Sequence, residues 1–281
     1  MILIADSGST KTSWALIEEG TEFIHDTGGF NPYYMDPSVL GEILSKELPS
    51  RITDADITSI FYYGSGCSTT KHCGLVETAL RVYFPAANIE VRHDLLAAAR
   101  AILGHNKGIA CILGTGANSC AYDGKQITKN VASLGYIFGD EGSGAYIGQK
   151  FLAAYLKGKL SRETNEAFES AYHYSLEDIL SAVYGTGSPS SYMASFTHFM
   201  AEHEHHDDIR EILLSSFIDF FQESVSKYTG YKQLPVSFVG SIAFHFRHIL
   251  NEAAGQEGIT VGRVDKAPME GLIRYHREQT S

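Results

Sequence analysis

One arrangement of strands and turns occurs twice in this chain of 281 residues. Each copy has an apolar strand, a turn of small polar residues, a second strand, a glycine turn and a third strand. The copies span residues 2–26 and 108–128, with the glycine turns at Gly20 and Gly124. A unit of this kind used twice predicts a duplicated fold with a boundary near Asn106. Hairpins are common, so a chance match of two unrelated hairpins is the alternative interpretation.

The segments after the first copy alternate between helix and strand patterns. Helices at 36–48, 69–83 and 95–103 alternate with strands at 57–63 and 89–93. This alternation is typical of a mixed α/β layer domain.

The second copy is followed by a long helical segment. The predicted helices cover 144–160, 162–173, 176–184, 191–203, 208–228, 241–254 and 269–277, with strands at 234–239 and 259–261. No low-complexity linker separates the two halves. We therefore expect two closely packed α/β domains, at 1–106 and 107–281, with a cleft between them and a large helical insertion in the second.

Composition excludes several classes of protein. Lys and Arg total 22 against 33 Asp and Glu, a net charge of −11, which argues against nucleic-acid binding through a general basic surface. The longest apolar stretches fall short of the ~20 residues that a membrane span requires. The N-terminus has no basic leader, and the four cysteines form no C-x-x-C pair. We expect reduced core thiols in a cytoplasmic protein.

The turn at residues 6–12, DSGSTKT, is a candidate phosphate site. Small residues such as Gly8 let backbone N–H groups approach an anion, and Thr10 and Lys11 add a hydroxyl and a charge. Asp6 at the strand end is suited to a hydrated Mg²⁺. The motif is neither a P-loop nor a dinucleotide fingerprint, because a strand follows the turn where a helix is required. An ordinary polar hairpin is the alternative.

Three further segments have the composition of ligand-binding turns. Residues 114–118, GTGAN, repeat the first turn, and two such turns facing each other would clamp a nucleotide's phosphates. Residues 133–144, SLGYIFGDEGSG, contain four glycines and two carboxylates just before a helix. Residues 236–243, VSFVGSIA, run from a strand through Gly-Ser into a helix, whose N-terminus can approach phosphate.

Asp94 follows a predicted strand and begins a predicted helix. Its structural interpretation is a helix N-cap. Its functional interpretation is a carboxylate at the carboxyl end of a strand, where ligands of α/β sheets bind and where it could serve as a general base. The two interpretations are compatible.

The ordered set of these segments resembles the N-acetylglucosamine kinases and, more broadly, the BadF/BadG/BcrA/BcrD ATPase family of the sugar kinase/actin-like superfamily. The match spans nearly the whole chain. The Gly-Thr-Gly turn after its strand and the Gly-Asp-Glu-Gly-Ser segment at 139–143 are its most specific elements. The resemblance implies two ribonuclease-H-like, actin-like ATPase domains that close on ATP and a hexosamine.

The resemblance also implies roles for single residues. ATP would be bound by Ser9, Thr10, Lys11, Thr115, Gly240, Ser241 and Ile242. The sugar would be bound by Asn31, Asp94, Ala117, Asn118, Gly135 and Asp140. Asp94 would hold the 6-hydroxyl and act as the catalytic base, and Asp6 would support Mg²⁺. No membrane or nucleic acid is implied as a partner, and a homodimer is left open.

The identity of the sugar is less constrained than the use of ATP. The Asn-His pair common in such kinases is Asn31-Pro32 here, and the Gly-Trp-Gly segment is replaced by residues 133–135, SLG. N-acetylglucosamine is the expected acceptor, with N-acetylmuramic acid, N-acetylmannosamine and glucosamine as alternatives. Two other functions stay open: an ATPase that activates a 2-hydroxyacyl-CoA dehydratase, and a nucleotide-gated regulatory protein. The polar cluster at 203–208 is expected to be a solvated loop.

Overall fold

The computed structural model describes residues 1–18 and 21–278. The chain divides into two compact units. Unit 1 comprises Met1–Gly104 and the segment that begins at Pro268, and unit 2 comprises His105–Ala267. Each unit contains one five-stranded sheet with helices.

The sheet of unit 1 is built from the first five strands of the chain. They are β1 (Ile2–Ser7), β2 (Lys11–Glu18), β3 (Thr21–Gly28), β4 (Ser59–Gly64) and β5 (Asn88–His93). Their order in the sheet is β3-β2-β1-β4-β5. The first three form an antiparallel meander, and β4 and β5 run parallel to β1. The turn predicted at Gly20 lies outside the described residues.

The sheet of unit 2 has the same plan. Its strands are β6 (Gly108–Leu113), β7 (Ala117–Tyr122), β8 (Ile127–Val131), β9 (Val236–Val239) and β10 (Val261–Asp265). Their order is β10-β9-β6-β7-β8, again with an antiparallel meander and two strands parallel to its first strand. The repeated strand order confirms the predicted duplicated α/β fold.

The helices of unit 1 cover the sheet from the connections between strands. They are α1 (Pro37–Glu47), α2 (Ser50–Thr53), α3 (Thr70–Tyr83) and α4 (Asp94–Leu103), joined by the C-terminal α14 (Met269–Glu278). Side chains alternate between the faces of a strand. Leu3 of β1 packs in one core cluster, and its neighbour Ile4 packs with α4 and α14 in another.

The C-terminal helix packs on unit 1, whereas the predicted range 107–281 placed it in the second domain. Leu272 and Ile273 are buried with Ile4 of β1. A Cβ on Gly271 would collide with the Ala101 carbonyl, so the glycine allows α14 and α4 to approach closely. Amphipathicity predicted this helix but does not specify the sheet that covers its apolar face.

The connection between β8 and β9 is the predicted helical insertion. It contains α5 (Gly135–Phe138), α6 (Gly144–Leu156), α7 (Arg162–Ala171), α8 (Leu176–Tyr184), α9 (Pro189–Ser195), α10 (Thr197–Glu202) and α11 (Asp207–Glu223). After β9 come α12 (Ser241–His245) and α13 (Arg247–Gln256). The core of this unit is rich in phenylalanine, including Phe151, Phe168 and Phe217.

Several element bounds differ from the predicted ones. The helices predicted at 191–203 and 241–254 are each two helices, which meet at Phe196 and Phe246. Both phenylalanines are buried. The short helices α2 and α5 were not predicted, because four residues carry too little periodicity to mark a helix. Within the described residues, no helix combines the length and apolarity needed to cross a membrane.

Candidate active site

The first candidate turn joins β1 to β2 in unit 1. The Gly8 N–H donates to the Lys11 carbonyl at 2.9 Å, and the Gly29 N–H donates to the Thr10 carbonyl at 3.0 Å. A Cβ on Gly29 would collide with the backbone of Gly8. Glycine at position 29 therefore lets the end of β3 brace the turn, which leaves the Thr10 side chain exposed.

Ser9 and Asn31 are brought together beside this turn. Asn31 is buried, and its Nδ2 donates to Ser9 Oγ at 2.9 Å while its Oδ1 accepts from the Tyr33 N–H at 3.0 Å. Gly66 has a φ of 80°, and a Cβ there would collide with Asn31 Oδ1. Ser65 Oγ lies 3.4 Å from Ser9 Oγ. The loops after β1, β3 and β4 thus present a small hydroxyl-rich cluster.

Lys11 begins β2 and is held in an ion pair. Its Nζ lies 2.8 Å from Asp26 Oδ2 on β3, and Ser13 Oγ donates to Asp26 Oδ1 at 2.6 Å. The hydrogen bonds from Lys11 and Ser13 lower the pKa of Asp26. Both members of the pair are exposed, so the ammonium group is accessible to an anion.

Asp94 is the first residue of α4, and the preceding His93 caps the helix. The Leu95 N–H donates to His93 Nδ1 at 3.0 Å. The prediction that Asp94 is the N-cap is therefore wrong by one residue, since the imidazole supplies the cap. The Asp94 carboxylate therefore does not cap the helix and can contact another group.

The same imidazole nitrogen lies 2.7 Å from Asp94 Oδ1. Nδ1 accepts from Leu95 when the ring is neutral and donates to Asp94 when the ring is protonated. Burial lowers the pKa of His93, but the hydrogen bond and charge of Asp94 raise it by more, so the net shift is upward. Within the described part of the chain, no further group forms a hydrogen bond to the buried Asp94 Oδ1.

Asp6 lies near the carboxyl end of β1 and is electrostatically coupled to Asp94. Burial, and then the negative charge of Asp94, raise the pKa of Asp6 to about 7, while Lys11 opposes the shift. A cation would relieve this repulsion, and carboxylate oxygens suit Mg²⁺, which keeps most of its waters. Among residues 1–18 and 21–278, no group of three or more His, Cys, Asp or Glu side chains is arranged to hold a metal ion. Asp6 and Asp94, whose charges repel each other, are the carboxylates that could hold a hydrated Mg²⁺ here.

The second candidate turn joins β6 to β7 in unit 2 and supports the start of α6. The Gly144 N–H donates to the Gly114 carbonyl at 2.8 Å, and the Ala145 N–H donates to the Thr115 carbonyl at 3.1 Å. Ser143 is the N-cap of α6 and accepts from Tyr146 N–H at 3.1 Å. The glycine-rich segment therefore docks α6 on the turn and fixes its position.

Gly240 connects β9 to α12 and depends on the absence of a side chain. Its φ is 130°, and a Cβ would collide with the Leu113 carbonyl at the end of β6. Its N–H donates to the Asp265 carbonyl on β10 at 3.0 Å. Both neighbouring strands therefore hold this junction, and Ser241 and Ile242 begin α12 next to the Gly114–Asn118 turn.

Two cavities of unit 2 border the hairpin at 114–118. The larger of them, of ≈ 580 Å³, opens beside this junction. Thr115, Ser241 and Ile242, which were predicted to bind ATP, line it together. The opposite wall comes from α9 and α10, including Ser195 and His198. Lys266, directly after β10, also lines it.

A smaller cavity of ≈ 190 Å³ lies within the same unit. Ala117, Asn118 and Asp140, which were predicted to bind the sugar, line it together. The hairpin at 114–118 thus contributes to both cavities: Thr115 to the larger, Ala117 and Asn118 to the smaller.

Asp140 has a strained backbone and a fixed carboxylate. Its φ is 59°, which is uncommon for a residue with a side chain. Ser133 Oγ donates to Asp140 Oδ1 at 2.9 Å. Burial raises the pKa of Asp140, and the hydrogen bonds from Ser133 and the Ala117 backbone oppose the shift. Strain at a cavity wall marks functional sites when other contacts hold the residue in place.

Some predicted residues do not line either cavity. Gly240 lies just before the residues that line the larger cavity, and Gly135 lies just after Leu134, which lines the smaller. Both have positive φ, of 130° and 72°, and so shape the backbone at these walls. Lys11 is engaged by Asp26.

Sequence reasoning missed other residues at these sites. Ser133 and Glu223 line the smaller cavity, and Ser195 and His198 line the larger. The helices α9 to α11, which supply three of the four, are far in sequence from the motifs, and their sequence carries no signal for this position. His93 had a signal, since it directly precedes Asp94.

The polar cluster at 203–208 is a helix-to-helix clamp. Asp208 accepts from the Ser161 N–H at 2.7 Å and from Thr164 Oγ1 at 2.8 Å, and His206 Nδ1 lies 3.0 Å from Thr164 Oγ1. These bonds join the start of α7 to the start of α11, which gives the cluster a structural role.

Comparison with known proteins identifies the class and family of the chain. No protein-family model matches it, and no curated protein matches it. The crystal structure of a putative N-acetylglucosamine kinase from Porphyromonas gingivalis is 40% identical over 100% of both chains, with a TM-score of 0.95. A protein of the same description from Chromobacterium violaceum is 18% identical over 98% of both chains, with a TM-score of 0.70.

More distant structures share the fold. A ROK family glucokinase from Streptomyces griseus, in complex with glucose and AMPPNP, is 12% identical over 97% of both chains, with a TM-score of 0.55. The duplicated sheet is therefore the actin-like ATPase fold that these structures share. Among proteins of this fold, the chain belongs to the N-acetylglucosamine kinase-like family.

Proposed function

We propose that this protein transfers the γ-phosphoryl group of ATP to the 6-hydroxyl of an N-acetylated hexosamine, with N-acetylglucosamine as the expected acceptor. The observation that carries the proposal is the single hairpin at 114–118, which contributes to both cavities. A hairpin shared in this way places two ligands next to each other. The protein from Porphyromonas gingivalis supports a sugar as the second ligand.

ATP occupies the larger cavity in this proposal. Its ≈ 580 Å³ falls within the ~300–1,000 Å³ usual for small-molecule sites. Ser241 and Ile242, with Gly240 behind them, frame the adenosine, and Thr115 contacts phosphate. Ser9, Thr10 and Lys11 are also proposed to bind phosphate, on the strength of the resemblance. The AMPPNP bound to the Streptomyces griseus glucokinase is in keeping with this use of the fold.

The sugar occupies the smaller cavity in this proposal. Asp140 accepts hydrogen bonds from sugar hydroxyls, Ala117 and Asn118 border the ring, and Gly135 shapes the adjoining loop. At ≈ 190 Å³ the cavity is below the usual range for a complete small-molecule site. Asn31 and Asp94 are also proposed to bind the sugar, on the strength of the resemblance.

Asp94 is the catalytic base of the proposed reaction. Its carboxylate accepts the proton of the 6-hydroxyl as that oxygen forms a bond to the γ-phosphorus. The bond from the γ-phosphorus to the bridging oxygen breaks, and ADP leaves with the electron pair. His93 Nδ1, at 2.7 Å, orients the carboxylate. Asp6 would hold Mg²⁺, which neutralises phosphate charge when bound.

A cytoplasmic location is part of the proposal, and the four free cysteines are in keeping with it. Disulfides are rare in that compartment. Cys67, Cys111 and Cys120 are buried, and burial raises the pKa of each thiol. This arrangement suits packing and leaves the cysteines no role in the transfer.

The decisive experiment is a coupled assay of ADP release over four sugars: N-acetylglucosamine, N-acetylmuramic acid, N-acetylmannosamine and glucosamine. We expect sugar-dependent ADP release that is greatest with N-acetylglucosamine, and a product whose ³¹P-coupled NMR signals place the phosphate on C6. ADP release with no dependence on any of the four sugars would contradict the proposal and favour a nucleotide-gated regulatory role.

A further inference from the structure

The side-chain amide of Asn118 has a defined orientation at the wall of the smaller cavity. Its Oδ1 lies 2.9 Å from the backbone nitrogen of Ser119 and 2.9 Å from Asn130 Nδ2. A backbone N–H can only donate, so the Asn118 atom that receives it is the oxygen. The remaining atom, Nδ2, forms no hydrogen bond with any group in the described part of the chain.

Asn130 has an equally defined orientation, set by backbone carbonyls. Its Nδ2 lies 2.6 Å from the Ser119 carbonyl oxygen and 2.9 Å from the Val131 carbonyl oxygen. Carbonyl oxygens only accept, so the Asn130 atom that faces them is the NH₂ nitrogen. The same nitrogen also lies 2.9 Å from Asn118 Oδ1, so its two N–H groups are shared among three acceptors. The backbone therefore fixes the Asn130 amide, which in turn fixes the Asn118 amide.

The strands that carry the two asparagines are held together by a buried tyrosine. Ser119 on β7 pairs with Val131 on β8, and Asn130 is the residue next to Val131. The Tyr228 hydroxyl lies 2.8 Å from Ser119 Oγ and accepts from the Val131 N–H at 3.0 Å. Tyr228 is 2% exposed, so this clamp is shielded from water. The clamp therefore holds β7 and β8 together next to Asn130, which is itself exposed.

We infer that Asn130, which does not line the cavity, is a positioning residue that makes Asn118 a hydrogen-bond donor to the substrate. With its oxygen occupied twice, Asn118 has only N–H groups left to offer. Asp140 lines the same cavity and, once ionised, offers only acceptors. Asn118 and Asp140 thus give the cavity wall a donor and an acceptor, a pair complementary to neighbouring hydroxyl or acylamino groups of a sugar. The inference rests on the proposed function. It implies that the sugar atom bound by Asn118 is an oxygen that accepts a hydrogen bond.

The test is a double-mutant cycle on sugar kinetics. Asn130→Asp replaces the donor by an acceptor of the same shape, which repels Asn118 Oδ1 and leaves only the Ser119 N–H to hold it. We expect the KM for the sugar to rise about tenfold, since a good hydrogen bond is lost and an acceptor faces an acceptor. The kcat and the KM for ATP should change less than twofold. Asn130→Ala should raise the sugar KM by about three- to fivefold, because the Asn118 amide is then held by the Ser119 N–H alone.

The cycle separates positioning from a structural role. In an Asn118→Ala background, Asn130→Ala should have no further effect on the sugar KM, because Asn130 acts through Asn118. Equal effects of Asn130→Ala in both backgrounds would overturn the inference, as would a sugar KM for Asn130→Asp within twofold of wild type in a protein that melts normally. Gln126→Glu is the control: it makes the matching amide-to-acid change at an exposed position just before β8, and its sugar KM should be unchanged.

Failure of the proposed function can be told apart from failure of this inference. If the wild-type protein shows no sugar-dependent ADP release, the proposed function is contradicted and the sugar KM of the variants cannot be measured. A neutron crystal structure of the Asn130→Asp variant, which distinguishes the amide oxygen from the amide nitrogen, then tests the inference alone. We expect the Asn118 amide to turn so that its Nδ2 faces residue 130. An unturned amide would overturn the positioning role whatever the substrate.

Discussion

The two units share one strand order but differ in what lies between the third and fourth strands. In unit 1 this connection is residues 29–58 and contains only α1 and α2, whereas in unit 2 it is residues 132–235 and contains α5 to α11. Both cavities described above lie within unit 2 and take part of their walls from that insertion. The sheet plan is therefore common to both units, and the insertion distinguishes the unit that contains both cavities.

The two units also differ in the residue that follows the last strand of each sheet. In unit 1 the last strand β5 is followed by Asp94, and in unit 2 the last strand β10 is followed by Lys266. Topologically equivalent positions thus carry a carboxylate in one unit and an ammonium group in the other. A fold supplies positions, and side chains at those positions supply function. We interpret unit 1 as the source of the reacting carboxylates and unit 2 as the source of the binding cavities.

The largest expected effect tests the role of unit 1 in the chemical step. Asp94→Asn keeps the shape of the side chain but removes the base, so kcat should fall by about 10³-fold, within the range for general-base catalysis. Because both cavities belong to unit 2, ATP affinity measured by calorimetry should stay within threefold of wild type. Normal turnover in this variant would contradict the proposed division of roles between the units, since the carboxylate of unit 1 would then have no catalytic role.

The next effect tests how strictly unit 2 depends on its strand junction. Gly240→Ala introduces a Cβ that collides with the Leu113 carbonyl, at a φ of 130°. We expect a loss of about 3 kcal/mol or more in the free energy of unfolding, together with loss of ATP binding. Chemical denaturation measures the first and calorimetry the second.

Gly74→Ala is the matched control in unit 1. Gly74 lies inside α3, and a Cβ there meets no atom within 4 Å. Alanine should stabilise the helix by about 0.5–1 kcal/mol, because it lowers the entropy of the unfolded chain. Equal stabilities of the two variants would show that the Gly240 junction is not a constraint.

The features that a local pattern determines were predicted well from the sequence. The helix predicted at 176–184 is α8 (Leu176–Tyr184), because Ser175 and Asp178 form a reciprocal capping box at its start. The duplicated meander was visible because each copy repeats a strand and turn pattern over about 25 residues. The hairpin at Asp123 was visible for the same reason.

The features that depend on distant packing were not predictable. The apolar face of α14 does not show that its partner is Ala101 of unit 1. The wall that α9 and α10 give to the larger cavity depends on how the insertion packs on α6, which no local pattern encodes. His93 as the cap of α4 depends on a side-chain rotamer, since Asp94 is the better N-cap by residue type.

A smaller effect tests whether the carboxylates of unit 1 are poised for a cation. Asp6 ionises near 3.8 in the unfolded chain and at about 7 in the folded one. Between these values the folded state holds more protons, so stability falls as the pH rises. In metal-free protein, Asp6→Asn should therefore be more stable than wild type at pH 8, by about 2 kcal/mol after allowance for solvent screening.

The control for this prediction is the same stability comparison made at a lower pH. The difference in melting temperature between Asp6→Asn and wild type should shrink toward zero at pH 4, where the wild-type carboxyl is protonated in the folded state. Added Mg²⁺ should raise the melting temperature of the wild type at pH 8 and leave that of the variant unchanged. A difference of the same size at both pH values would show that packing, and not charge, explains it.

The smallest effect asks how much unit 1 adds to nucleotide binding. Lys11 and Asp26 form an exposed ion pair at 2.8 Å, and Lys46 and Glu42 form a similar one at 2.9 Å on α1. Surface pairs contribute little to stability, so Lys11→Gln and Lys46→Gln should both melt close to wild type. Only Lys11→Gln should raise the KM for ATP, by about three- to tenfold, because only Lys11 borders the turn after β1. An equal ATP KM in the two variants would assign nucleotide binding to unit 2 alone. Unit 1 would then contribute only to the chemical step.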